Sequence, residues 1–322
     1  MLVGDAYRAE QQRIHKIAIV GPTAVGKTAV AIAVARQISA EIISADSMQI
    51  WRGLDIGTAK PSAAEQAECR FHLLDVADYT ARFSVVDFQR LAQDAESGIV
   101  RRGACPILCG GTGLYVRAVV DGLSFPPGGD ESVRDRLKQI ADVEGADALH
   151  RKLSALDSKT AERLAPADTK RVIRALEVWE ISGKTLSSFL EEDAARRAAT
   201  DWLLFGLACD HDVLVERICN RIDIMVQQGL EQEIRLLYAN GFRQGLQSCS
   251  ALGYQEMVDY IDGRLTLDEA VAKIKLNTRR FAKRQRTWFR ADKRIKWLNA
   301  TDASVETLSG SIVAQITSGC DS

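Results

Sequence analysis

The residues Gly21-Pro22-Thr23-Ala24-Val25-Gly26-Lys27-Thr28 fit the pattern G-x-x-x-x-G-K-[ST] without a mismatch. In such a loop the backbone N–H groups curl around an anion and the lysine reaches its outer oxygens. The Ser or Thr hydroxyl that follows is placed to hold Mg²⁺. Lys27 and Thr28 occupy those two positions, and the start of a helix there adds positive potential. The pattern carries this meaning only between a strand and a helix; elsewhere it is a glycine-rich turn. Ile17 to Val20 supplies a short apolar run before the loop, and Thr28 to Ile38 a helical pattern after it. A di- or triphosphate ligand is expected, with Mg²⁺ beside it.

Other residues could act on such a ligand. Arg217 and Arg221 stand four apart on an expected helix, so they share a face and could clamp a diphosphate from the side opposite the loop. Asp46 follows a short apolar run and is ambiguous among capping, Mg²⁺ coordination and proton transfer. Hydrolytic nucleotide-binding enzymes often end a central strand in an acid that holds Mg²⁺ and positions water. Here the run Pro106 to Cys109 ends in Gly110-Gly111-Thr112-Gly113, which weakens a hydrolase reading, with Asp75 left as a substitute acid. Between Lys273 and Lys296 there are eleven Lys or Arg and one acid, Asp292. Val271, Ile274, Phe281 and Trp288 recur on one face and are expected to pack on the core. Lys275, Arg279, Arg280, Lys283, Arg284, Arg286 and Arg290 cover the rest. That segregation reads as a footprint for nucleic-acid phosphates, against the alternative of a solvated helix balanced by acidic neighbours. His72 and the other three histidines show no ligand or triad spacing and read as structural.

The elements that must position these residues follow from periodicity. Strand, phosphate loop, helix and the strand Glu41 to Ser44 make a βαβ unit, which implies a parallel sheet. Ligands of open parallel sheets lie beyond the carboxyl ends of the strands, which puts Asp46 on the same rim as the loop. A polar loop from Met48 to Pro61, a strand from Phe71 to Asp75 and a helix capped by Ser84 are expected next. Near Ser124 to Gly129 a Pro-Gly hinge opens a stretch with helical periodicity and no credible strand. Strand character returns at Trp202 to Cys209. Helices follow near 212–228, 230–239, 267–292 and 303–317, with a last strand at Ile295 to Leu298. The expected fold is α/β: a parallel sheet of the P-loop NTPase type flanked by helices, comprising 1–123 and 201–322, with an all-helical insertion domain at 124–200.

Composition bounds the function. The chain has 322 residues, a net charge of −1, 46% hydrophobic and 26% charged residues, which is ordinary for a soluble globular protein. A near-neutral molecule binds nucleic acid only through a local patch. The seven cysteines are scattered, without zinc spacing, and Cys105 and Cys109 read as small core residues. No long apolar stretch suggests a signal peptide or a membrane span, so a reduced, cytoplasmic protein is expected.

Taken together, several runs resemble the bacterial tRNA dimethylallyltransferase family. They are Gly21 to Thr28, Asp46 to Ile50, Asp55 to Pro61, Gly110 to Tyr115, Lys170 to Glu177, Ala251 to Tyr254 and Thr278 to Gln285. The resemblance spans about 16 to 298. It implies transfer of a dimethylallyl group from dimethylallyl diphosphate to the exocyclic amine of the adenine just 3′ of the anticodon. The phosphate loop would then hold the donor's diphosphate, although the motif alone suggests ATP. By the same resemblance Thr23, Gly26, Lys27 and Thr28 bind the leaving group with Mg²⁺, and Asp46 is the general base. Lys27, Arg217 and Arg221 clamp the departing diphosphate, and the donor lies in a channel that adenine enters from the other end. Ser47, Met48, Gln49, Thr112, Arg134, Lys170, Arg171, Val172, Ile173 and Arg174 correspond to tRNA contacts, as do Arg279, Arg280, Lys283 and Arg284 of the basic helix. The insertion and that helix would hold the anticodon stem-loop, and a monomer is expected. Val25, Trp51 and Lys170 depart from the family's commoner residues without removing a group assigned to chemistry.

Two other classes remain at this stage. One is a phosphate-loop enzyme of another kind, a small-metabolite kinase or a prenyltransferase of free adenine nucleotide, which would not need the basic helix. The other is a non-catalytic RNA-binding regulator that uses a nucleotide as a switch.

Overall fold

The computed structural model of the protein describes residues 15–126, 128–196 and 200–318. The amino-terminal stretch before His15, Pro127 of the expected hinge and Cys320 lie outside these residues. The chain divides into two compact units, Met1–Val120 with Asp201–Ser322, and Asp121–Thr200.

In the first unit β1 (Lys16–Val20) leads through the phosphate loop into α1 (Lys27–Gln37), and β2 (Ala40–Ser44) follows. Next come α2 (Ala63–Glu68), β3 (Phe71–His72), α3 (Val85–Arg101), β4 (Cys105–Gly110) and α4 (Gly113–Val120). The second unit holds α5 (Glu131–Glu144), α6 (Ala146–Leu156), α7 (Ser158–Ala161), α8 (Thr169–Ser182) and α9 (Leu186–Arg196). The chain then returns to the first unit with β5 (Trp202–Ala208), α10 (His211–Gln227), α11 (Leu230–Ala239), α12 (Tyr254–Ile261), α13 (Leu267–Arg290), β6 (Lys296–Asn299) and α14 (Val305–Ser318).

The six strands form one parallel sheet in the order β3-β2-β4-β1-β5-β6. Ile17 to Val20 and all of β4 are buried, as central strands covered on both faces require. Parallel pairing sends every strand's carboxyl end to one rim, where the loops after β1, β2 and β4 meet. Local chemistry fixes the helix starts. Ser84 with Asp87, and Thr266 with Glu269, form reciprocal capping boxes at the heads of α3 and α13. The second unit packs its own core from Leu137, Leu149, Leu153, Ala161, Val172, Ile173, Ala175 and Leu176.

The structure corrects three sequence expectations. The strand expected over Phe71 to Asp75 stops at His72, because Leu73 and Asp75 adopt positive φ. There the backbone leaves the sheet and pairs with the 49–51 loop instead: Asp75 N–H donates to Gln49 O and Ala77 N–H to Ile50 O. Trp288 does not pack inward; it is 45% exposed, with its indole against Gly113. The buried stripe of α13 is Ala270, Ile274, Ala282, Gln285 and Phe289. Finally, α2, α4 and α12 were not foreseen. Six to eight residues are too few for a helical period to show.

Candidate active site

The phosphate loop leaves β1 at the rim and ends at Gly26, which precedes α1 without a side-chain cap. Gly21, Pro22 and Val25 are buried against the sheet, while Thr23, Ala24, Gly26, Lys27 and Thr28 line a cavity of about 860 Å³. Lys27 Nζ donates to the Pro22 carbonyl at 2.7 Å. Burial lowers the Lys27 ammonium from its usual 10.5 to about 8, opposed by Cys109 and Asp46 and reinforced by Arg221. Burial also lowers Arg221, again opposed by Asp46. Two desolvated cations in one cavity make a place for an anion.

The facing wall is α10, which contributes Arg217, Asn220 and Arg221. Arg217 is held by Nη2–H···O=C to Thr301 at 3.0 Å. A third wall is the loop Asp55 to Pro61. Its Lys60 side chain is 4% exposed and donates to Trp51 O at 2.9 Å, Asp55 Oδ1 at 2.5 Å and Asp75 Oδ1 at 2.6 Å. Asp75, the substitute acid of the sequence reading, therefore lines the cavity with one oxygen already bound to an ammonium. Glu233 of α11 fastens this loop from outside. It accepts from the N–H groups of Asp55 (3.1 Å), Ile56 (2.7 Å) and Gly57 (3.4 Å) and from the Tyr254 hydroxyl (2.6 Å).

Asp46 lies on the loop after β2 and lines this cavity and a second, smaller one. Its Oδ1 accepts Met48 N–H at 2.9 Å, an Asx turn that fixes the carboxylate. The loop is tied to the end of β4. Ala45 N–H donates to Cys109 O, Thr112 N–H to Ala45 O, and Ser47 N–H to Thr112 Oγ1 at 3.0 Å. Gln49 is buried and bonded to Ser44 Oγ, Thr58 O and Ala59 O, so it joins β2 to the 58–59 turn. The second cavity, about 260 Å³, adds Met48, Ile218, Ile222, Leu252 and Phe281 as apolar walls. It shares Thr23, Asp46 and Arg221 with the first.

Gln285 enters this site from α13 and was not singled out by the sequence reading. Its Oε1 accepts Thr23 N–H at 2.8 Å, and its Nε2 donates to Gly111 O at 2.9 Å. A Cβ at Gly111 would overlap that amide, so glycine is required for the approach. Lys60, Glu233 and Tyr254 were likewise missed as site elements. Their positions inside two of the matched runs, and a lone Glu, gave no chemical signal.

On α13, Lys273 pairs with Asp259 at 3.1 Å and Lys275 with Asp223 at 2.6 Å, so part of the charge is balanced locally. Arg279, Arg280, Lys283, Arg284 and Arg290 are exposed, and none pairs with a carboxylate among the described residues. In the second unit Lys170 and Arg171 are exposed, whereas Val172 and Ile173 are buried in that unit's core and present no surface to a ligand. Arg134 and Arg174 both bind Glu177, a fully buried carboxylate, at 3.0 and 2.9 Å.

A family model described as IPP transferase matches residues 49–292, and one described as isopentenyl transferase matches residues 14–80. A tRNA dimethylallyltransferase of Geobacillus kaustophilus is 46% identical over 286 residues, 88% of this chain and 90% of that protein. The chain belongs to the IPP transferase family. Its fold is that of the family as well. The full-length tRNA isopentenylpyrophosphate transferase of Bacillus halodurans superposes with a TM-score of 0.72 at 41% identity, covering 96% of this chain and 97% of that one. A eukaryotic dimethylallyltransferase acting on tRNA superposes with a TM-score of 0.81 at 26% identity, covering 94% and 78%. Among the described residues no helix is long and apolar enough to cross a membrane.

Proposed function

We propose that this protein transfers the dimethylallyl group of dimethylallyl diphosphate to the exocyclic amine of the adenine 3′-adjacent to the anticodon in tRNA. The observation that carries the reading is the wall shared by the two cavities, which holds Arg221, the carboxylate Asp46 and Thr23, with the second cation, Lys27, lining the larger cavity. Relatives of similar length bear the name of this activity.

The donor's diphosphate lies in the larger cavity between the phosphate loop and Arg217 and Arg221. The adenine amine attacks the allylic carbon, forming C–N as C–O breaks, and the electron pair of C–O leaves on the diphosphate. Lys27, Arg217 and Arg221 offset the charge that collects there, which is the dominant contribution expected for a cationic allyl centre. The amine nitrogen is a weak nucleophile because its lone pair is delocalised into the ring, and its proton passes to the Asp46 carboxylate. Thr23, whose amide is fixed by Gln285, lies where donor and acceptor meet. Thr28 beside Lys27 suits Mg²⁺, a hard cation that binds through few protein oxygens plus substrate phosphates. When bound, the ion neutralises part of the leaving group's charge. ATP could occupy the same loop.

The tRNA is held by the exposed cations of α13, together with Lys170 and Arg171 of the helical unit Asp121–Thr200. Met48 and Ser47 lie close to the entering base, which must leave its stack to react. The test is purified protein with undermodified tRNA, Mg²⁺ and dimethylallyl diphosphate, read by nucleoside mass spectrometry. Asp46→Asn should lower transfer by about 10²-fold or more while tRNA and donor still bind. Near-normal transfer by that variant would remove Asp46 as the base.

A further inference from the structure

We propose that Gln285 is a positioning residue that couples RNA binding on α13 to anion binding in the phosphate loop; the inference rests on the transferase reading above. The side chain is 6% exposed, on the face of α13 turned away from the exposed cations of the same helix. Its carboxamide reaches two separate strand ends. It takes the Thr23 N–H, after β1, and gives to the Gly111 carbonyl, after β4. A carboxamide offers an acceptor and a donor in that fork at every pH, whereas a carboxylate offers only acceptors, so the two partners set its orientation.

The consequence is mechanical. Thr23 N–H is one of the loop's amides, and it is bound to the basic helix. The same two turns of helix that carry Arg279, Arg280, Lys283 and Arg284 carry the group that holds Thr23. RNA that fixes those cations also fixes Gln285, hence the Thr23 amide, and hence the mouth of the anion cradle. The reverse must hold equally, because coupling between binding sites is reciprocal. Lys27 and the Arg217–Arg221 pair supply attraction for the diphosphate without this link. Gln285 therefore governs how one ligand alters the affinity of the other, more than the affinity for either alone.

The experiment measures a thermodynamic cycle with inorganic pyrophosphate and Mg²⁺, which cannot transfer a prenyl group, and an anticodon stem-loop RNA. In the wild-type protein RNA should tighten pyrophosphate binding about tenfold, within the range usual for coupled sites. In Gln285→Leu the factor should fall to about one, with RNA affinity alone unchanged. Gln285→Glu provides a second variant that does not depend on the first one folding. Its protonated form has one donor and one acceptor, like the amide, whereas its carboxylate has only acceptors. Coupling in Gln285→Glu should therefore return at acid pH and vanish at alkaline pH, a profile the wild type lacks. Retained coupling in Gln285→Leu, or a pH-independent factor in Gln285→Glu, overturns the inference while leaving the transferase reading intact. A wild-type protein that binds no RNA overturns both.

Discussion

The lowered proton affinity of Lys27 makes a sharp prediction about donor binding. Its ammonium falls from 10.5 to about 8 because burial desolvates it. At about 1.4 kcal/mol per unit, the charged form is roughly 3 kcal/mol costlier there than in water. Below about pH 8 both folded and unfolded chains keep the proton, and the full cost is present. Between about 8 and 10.5 the unfolded chain holds more protons than the folded one, so stability of the ligand-free protein rises with pH across that window. A diphosphate beside the ammonium reverses the imbalance, since the bound state keeps the proton to higher pH than the free state. Donor affinity should be flat with respect to this lysine below pH 8. Above that it should weaken about tenfold per pH unit. Calorimetric titration of dimethylallyl diphosphate in buffers of different ionisation enthalpy should find nearly one proton taken up at pH 9 and almost none at pH 7. Lys27→Arg, permanently charged, should remove the uptake. Equal uptake in wild type and Lys27→Arg, or none in either at pH 9, would refute the reasoning.

The other predictions concern binding and the loop that walls the cavity. Replacing Arg279, Arg280 or Lys283 by Ala should lower the slope of log affinity for tRNA against log salt by about one per charge removed, as filter binding over a salt series would show. An unchanged slope would place the RNA elsewhere. Glu233→Gln replaces one carboxylate oxygen by an NH₂, so either the Asp55 and Ile56 N–H groups or the Gly57 N–H and the Tyr254 hydroxyl lose their acceptor. The loss should be about 1–3 kcal/mol, seen as a lower thermal midpoint. It should come with a higher KM for the donor and little change in KM for tRNA; equal changes in both would show that the loop does not wall the donor site.

The parts of the site that were legible in sequence are those whose partners lie within one turn or one strand–loop–helix unit. The phosphate loop, the Arg217–Arg221 pair and the placement of Asp46 at a strand end all follow from short-range geometry. Gln285 was hidden for the opposite reason. Its partners are Thr23 and Gly111, 262 and 174 residues away, and a glutamine within a run of arginines looks like one more polar surface residue. Glu233 and Tyr254 converge on the 55–57 backbone from two helices, and no local pattern announces that meeting. Trp288 fits the apolar spacing of α13 and yet lies outside, because the inward stripe is centred on Ala282, Gln285 and Phe289. A buried glutamine had displaced an aromatic residue from the expected face. The break in β3 shows a similar limit: the apolar pattern of 71–75 is that of a strand, but hydrogen bonds to the 49–51 loop capture its second half.

The end of β4 explains why a phosphate loop of this kind is suited to transfer. A hydrolytic enzyme would use the residues after this strand to present an acid to Mg²⁺ and water. Here that position is sterically closed to a side chain. A Cβ at Gly110 would overlap the Ala45 carbonyl, and one at Gly111 the Gln285 amide. The strand end is occupied instead by two close approaches, one from the Asp46 loop and one from the basic helix. The first fixes the Asp46 loop at the rim of the cavity that Thr23 also lines, through the Ala45, Ser47 and Thr112 hydrogen bonds. The second brings α13 against the anion cradle. An acid at 110 or 111 would have to displace one of them, and with it either Asp46's placement or the link to the basic helix. The same two glycines that leave no room for a hydrolytic carboxylate thus let the Asp46 loop and the basic helix approach the phosphate loop, the arrangement that the proposed transfer requires.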